Sequence, residues 1–265
     1  MSPLFPLTLA LYAVACALYL SHFASPGESM AKMARAALIA AFAAHAVDIG
    51  VLCVHGLHPF VNARESFAFA AWLTVGAYLL LSLRFRVPIL GALIVPVTIV
   101  LLVAARVLPS PAGPAVGLLQ GLHIGLATAG VALFAVAAGG AALFLMAEWQ
   151  LKQHKPGKAL RKGPSLDTLD KINRASILLG FPLFTVAMVL GALLAVHRPD
   201  GGAHRLLQPA YLLSTVTWGL YAALVVARVT GGWRGRRAAL VTLAGFGAAV
   251  CVLLIYYSHG FGVRA

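Results

Sequence analysis

Charge is scarce in this sequence. Only 10% of the 265 residues are charged, and just seven are Asp or Glu, too few to coat a soluble globule of this size. A soluble fold is therefore excluded. Cysteine is also sparse: Cys16, Cys53 and Cys251 lie far apart inside apolar runs, without the paired spacing that redox or zinc chemistry needs. They read as core residues. No Lys or Arg precedes the first apolar run, so the basic flank of a cleavable signal is missing and that run is expected to persist as a helix. No Ser, His, Asp triad stands out, which leaves no self-contained catalytic site to assign. An inverted repeat of the kind that builds transporters is not visible either.

What is present is apolar length. Hydrophobic residues make up 61% of the chain, and runs of roughly twenty, enough to cross about 30 Å of hydrocarbon, recur about eight times. The runs are Pro3 to His22, Ala36 to Leu57, Ser66 to Leu83, Pro88 to Val107, Val116 to Ala147, Ile172 to Val196, Pro209 to Ala227 and Ala238 to Ser258. In lipid, backbone groups must be satisfied within the segment, so the expected class is all-α, a polytopic membrane protein of about eight transmembrane helices.

A net charge of +13 would suggest nucleic acid in a soluble protein, but here the basic residues alternate between connections. Lys32 and Arg35, Arg84 and Arg86, Lys152 through Arg174, and Arg228 through Arg237 place about fifteen on one side against about five on the other. That side is expected to be cytoplasmic, with both termini outside. The chain then reads as one transmembrane domain over 1–265. Its longest polar stretch, residues 148–171, is a basic cytoplasmic linker suited to anionic lipid headgroups, and Ser165 offers a helix-capping oxygen at its end.

Two sets of residues invite chemistry. Asp48 follows His45 by three positions and shares its helix face, so the pair should face protein. It serves as a proton relay or a polar contact to a buried ligand, or else packs as a self-satisfied pair. His123 and His259 stand at matched depth, each at an external helix end. Neutral imidazoles so placed can clasp a flat metallocycle from two sides, or remain interfacial residues with one wet nitrogen.

The blocks LeuAspThrLeuAspLysIle from Leu166, GlyPheProLeuPheThr from Gly180, LeuGlyAlaLeu from Leu190, ThrTrp at Thr217 and GlyGlyTrpArgGlyArgArgAlaAla from Gly231 resemble the cytochrome c assembly protein family. These are the CcsA/ResC/HemX-like haem-handling membrane proteins. Upstream, Asn62, Glu65 and Ser66 match the family's external segment, so the resemblance covers roughly residues 45 to 262. It implies non-covalent haem b held at the external face, with His123 and His259 as axial ligands to the iron. It also implies a bacterial cytoplasmic (inner) membrane location, and apocytochrome c and a second membrane assembly subunit as partners. Arg198 and Arg205 are the expected propionate partners, with walls from Phe60, Tyr211 and Phe261.

The sequence departs from the family synthetases in two places. Their tryptophan-rich external motif is replaced by HisArgLeuLeuGlnPro from His204, leaving Pro209 and the downstream Trp218, which joins the cofactor-binding set. The histidines of their inner haem site fall on Tyr78 and Val226. The chain thus resembles the shorter members that lack the tryptophan motif, at most one subunit of a haem-attachment system. Alternatives are a HemX-like regulator of haem biosynthesis and, further off, a small-molecule transporter using His45 and Asp48.

Overall fold

A computed structural model describes residues 4–107, 116–153, 163–197 and 206–262, with side chains through Ile255. Arg198 and Arg205 lie outside the described residues, as do the side chains of His259 and Phe261.

Eight long helices account for nearly all of what is described: α1 (Phe5–Ala24), α2 (Glu28–Val54), α3 (Ala63–Arg84), α4 (Gly91–Val107), α5 (Leu118–Lys152), α6 (Leu166–His197), α7 (Pro209–Thr230) and α8 (Arg236–Gly262). A single 3-10 turn, Pro88–Leu90, leads into α4. All eight are long and apolar enough to cross a membrane. Large apolar side chains such as Val54, Leu83, Val107 and Leu118 face outward, as they must where the surroundings are lipid rather than water. The chain is a multi-pass membrane protein.

The helices run further than hydrophobicity alone indicates. α2 begins at Glu28, eight residues before the apolar run, because Glu28 and Lys32 pair at 2.8 Å one turn apart in an exposed first turn. α5 continues to Lys152 through the Glu148–Lys152 pair. α6 starts at Leu166, where the Ser165 hydroxyl accepts from the Thr168 amide at 3.2 Å as a cap. Helix therefore occupies both ends of the polar stretch read as a linker.

Two ends of the bundle are defined by contacts. At the basic end the tip of α1 meets the start of α4, where Gly91 gives the Tyr19 ring room that any Cβ would deny at 2.4 Å. At the other end, residues of α3 through α8 surround one cavity beside His123. The longest helix, α5, packs on α3, α6 and α8. Its seam with α6 is built from small residues: a Cβ on Gly180 would stand 3.1 Å from the Gly130 carbonyl, and one on Gly130 would stand 3.2 Å from the Gly180 carbonyl. Without a hydrophobic force between helices in lipid, such close backbone approach is what dispersion needs to hold them together.

Candidate functional site

His123 sits in the second turn of α5, facing α6. Its Nδ1 lies 2.7 Å from the Ala187 carbonyl. A carbonyl only accepts, so Nδ1 carries the proton, and in the neutral ring the lone pair is on Nε2. This is the state required of an imidazole that binds a metal, with its ring turned and held by a backbone oxygen. The ring fits because residue 191 is glycine; a Cβ there would meet His123 Cε1 at 2.7 Å. The LeuGlyAlaLeu block of α6 is thus the seat of His123.

Two cavities meet at this ring. One, of about 320 Å³, lies between α5, α6, α7 and α8 and is walled by Met188, Leu194, Tyr211 and Val252 with Gln120 and Gln208 as polar rim. The other, of about 190 Å³, reaches inward past Phe67, Leu101, Val131 and Phe184. The larger is at the low end of ligand-sized sites, roughly 300–1,000 Å³. Apolar walls around a single unprotonated ring nitrogen suit the edge of a porphyrin.

Val252 of α8 lines both cavities with His123. His259 follows it by seven residues, two helical turns, so its backbone lies about 10 Å further along α8 on nearly the same face. The two histidines are therefore staggered in depth rather than level.

Several expected wall residues fall elsewhere. Tyr211 lines the His123 cavity, donating its hydroxyl to the Met188 carbonyl at 3.3 Å. Phe60 instead lies over Gly121 and Gly125, which are on the opposite side of α5 from His123, and it borders a separate cavity near His58. Trp218 is not among the residues lining either His123 cavity. Its indole donates to Thr185 Oγ1 at 3.0 Å and packs on Phe181, joining the ThrTrp block to the GlyPheProLeuPheThr block. Tyr78 and Val226 do not meet: Tyr78 is buried beside Tyr19, while Val226 is exposed on α7.

His45 and Asp48 are both buried, at 1% and 5% exposure, and neither lines a cavity beside His123. The Tyr12 hydroxyl is 3.3 Å from His45 Nδ1. Glu65, at the start of α3, is a second acid buried inside the bundle. Asn62 explains its own motif, its side chain accepting from the Glu65 amide at 3.0 Å as a helix cap.

A polar cluster at the basic end escaped sequence reasoning. Arg228 grips both oxygens of Asp170 at 3.2 and 3.3 Å and also donates to Asn173 Oδ1. Asn173 in turn donates to the Ala137 carbonyl and to Thr242, each at 3.0 Å. The Gly235 amide donates to Asp170 at 3.1 Å, from a turn in which Gly232 and Gly235 hold positive φ of 62° and 65°, a conformation that favours glycine. Four helices are tied together, with Asp170 and Gly235 coming from two of the sequence blocks. One signal is visible in the sequence: Asp170 lies inside a block and Arg228 stands three residues before another, though nothing there pairs them.

"Cytochrome c biogenesis protein CcsA" of Gloeobacter violaceus is 38% identical over 105 residues, 40% of this chain and 30% of that protein. The protein of that name from Synechococcus elongatus is 40% identical over 88 residues, 33% of this chain and 26% of the relative. The one from Chlamydomonas reinhardtii is 29% identical over 202 residues, 72% of this chain and 56% of the relative. In each case the matched segment is little more than half of the relative's length or less. The family described as cytochrome c assembly protein matches residues 60–263, from just before α3 to the end of α8, so the chain belongs to the cytochrome c assembly protein family.

Proposed function

We propose that this protein binds haem non-covalently in a single transmembrane domain and presents it for cytochrome c assembly at the non-cytoplasmic face of a bacterial inner membrane. One observation carries the reading: His123 is locked as the Nδ1–H tautomer by Ala187, with Nε2 available where two apolar cavities meet. His259, two turns beyond Val252 on α8, would supply the second imidazole to hold the iron. Arg198 and Arg205, in the connection between α6 and α7, are the partners for the propionates.

When bound, haem supplies vinyl groups to which cysteine thiols of an apocytochrome add. This chain contributes no nucleophile to that reaction. Its residues fix the orientation and exclude water: Ala187 sets the ring of His123, Gly191 leaves space for it, and Met188, Tyr211 and Val252 keep the neighbouring wall dry. Apocytochrome c and a second membrane assembly subunit are its partners, and the basic segment 148–171 lies among anionic headgroups on the cytoplasmic side, with both termini on the other.

The test is the reduced haem spectrum of the purified protein. His123→Ala and His259→Ala should each lower the haem-to-protein ratio by roughly tenfold or more, since losing one strong ligand is expected to exceed about 1.4 kcal/mol. Gly191→Ala, which presses on the ring without removing it, should shift the absorbance band at partial occupancy. Unchanged haem content in both histidine variants rejects the site.

A further inference from the structure

At the basic end, between α1, α2, α3 and the 3-10 turn, lies a cavity of about 490 Å³ that takes no part in the haem reading. Its floor is formed by two buried phenols, Tyr19 and Tyr78, whose oxygens are 3.5 Å apart. Arg35 stands on the wall, near enough to act electrostatically on both phenols. Lys32, Arg86 and Glu28 complete the rim. Three cations face one carboxylate, a net +2, and that carboxylate is already engaged by Lys32 at 2.8 Å. The excess charge is therefore on Arg35 and Arg86.

We infer that this cavity binds the phosphate headgroup of an acidic phospholipid, with Arg35 and Arg86 on the phosphate and the Tyr19 and Tyr78 hydroxyls on the headgroup's own hydroxyls. Guanidinium groups match phosphate oxygens in geometry as well as charge. The cavity is polar where a headgroup needs it. It also lies at the right depth: its lining comes from the last turns of α1 and α3 and the first turns of α2. Tyr78 is six residues inside the end of α3, about 9 Å from the helix tip, so the floor reaches just below the level of the headgroups. Leu20, Leu80 and Leu83 on the same turns of α1 and α3 are exposed and offer a surface along which acyl chains can lie. A free phosphate ester would satisfy the cations but leave that apolar surface unused. Basic pockets between helices on the positively charged side are recurrent sites for anionic headgroups.

The walls also come from two parts of the chain. Tyr78 and Arg86 fall within the family-matched residues 60–263, whereas Tyr19 and Arg35 precede them. A lipid held here joins α1 and α2 to the rest of the bundle.

The experiment uses the full chain purified in neutral detergent, with dioleoyl phosphatidylglycerol, dioleoyl phosphatidylcholine or glycerol 3-phosphate added, and native mass spectrometry and thermal unfolding as readouts. Phosphatidylglycerol should remain as an adduct and raise Tm, while phosphatidylcholine and glycerol 3-phosphate should do so weakly or not at all. Arg35→Gln and the more exposed Arg86→Gln should each weaken the phosphatidylglycerol effect by about tenfold, the loss of one charge-assisted hydrogen bond. Arg84→Gln, which removes a cation at the same end but outside the cavity, should match the unmodified protein. Tyr78→Phe should keep the fold and lose part of the effect. Equal phosphatidylglycerol binding by the Arg35 and Arg86 variants overturns the site, and equal stabilisation by glycerol 3-phosphate overturns the lipid as its occupant.

Discussion

Arg228→Met is expected to destabilise the purified protein by roughly 3–5 kcal/mol, the cost of breaking a buried ion pair and leaving one charge unmatched. The side chain of Arg228 is 1% exposed and that of Asp170 is 14% exposed. Without the guanidinium, Asp170 retains the Gly235 amide but loses both charged donors, and Asn173 Oδ1 is left with only the distant Thr242 hydroxyl at 3.4 Å. Thermal unfolding in detergent should show a large fall in Tm or no cooperative transition. Arg228→Lys should recover only part of the loss, because a single ammonium cannot span two carboxylate oxygens and Asn173 together. The double variant Arg228→Met with Asp170→Leu should be more stable than Arg228→Met alone, since removing both members of a buried pair leaves no orphaned charge. A Tm unchanged in Arg228→Met would show that the cluster does not hold the four helices together.

Gly180→Leu should act on both stability and ligand binding. At this crossing a Cβ alone would lie 3.0 Å from Leu133 Cβ and 3.0 Å from a Phe134 ring carbon, with the Gly130 carbonyl at 3.1 Å behind them. The obstruction is partly backbone, so side-chain rotation cannot relieve it, and α6 must move away from α5 at a cost of about 1–3 kcal/mol or more. Ala187 is two turns further along the same helix. Its carbonyl, which fixes the His123 tautomer, moves with α6. The expected result is a lower monodisperse yield together with a reduced haem-to-protein ratio in the material that folds. Gly219→Leu is the control, because a Cβ at Gly219 meets nothing within 4 Å. Comparable behaviour of the two variants would remove the α5–α6 seam from the account of His123.

The eight helices were legible because lipid leaves a segment of twenty apolar residues no other way to satisfy its backbone. Their ends were less so. Hydrophobicity stops at Ala36, yet α2 begins at Glu28, where an exposed ion pair one turn apart replaces apolar burial as the local support. Ser165 was read as a cap from its neighbours and is one, since capping is decided within four residues. Arg228 reads as a topology charge, and its partner Asp170 is 58 residues away; no local pattern links them. Gly191 was visible only as part of a block, because the imidazole it accommodates comes from a helix 68 positions earlier. Phe60 had the right chemistry for a wall, but the geometry of α5 turns Gly121 and Gly125 away from His123, and the ring follows those glycines.

α5 runs for 35 residues, a rod of about 52 Å against roughly 30 Å of hydrocarbon. His123 is near one tip and Lys152 forms the other, about 44 Å away. Between them, glycines 130, 139 and 140 let the neighbouring helices come close near its middle. The imidazole and the start of the basic segment therefore stand on opposite sides of one tight zone of contact, and a bulkier residue in that zone would disturb the setting of both.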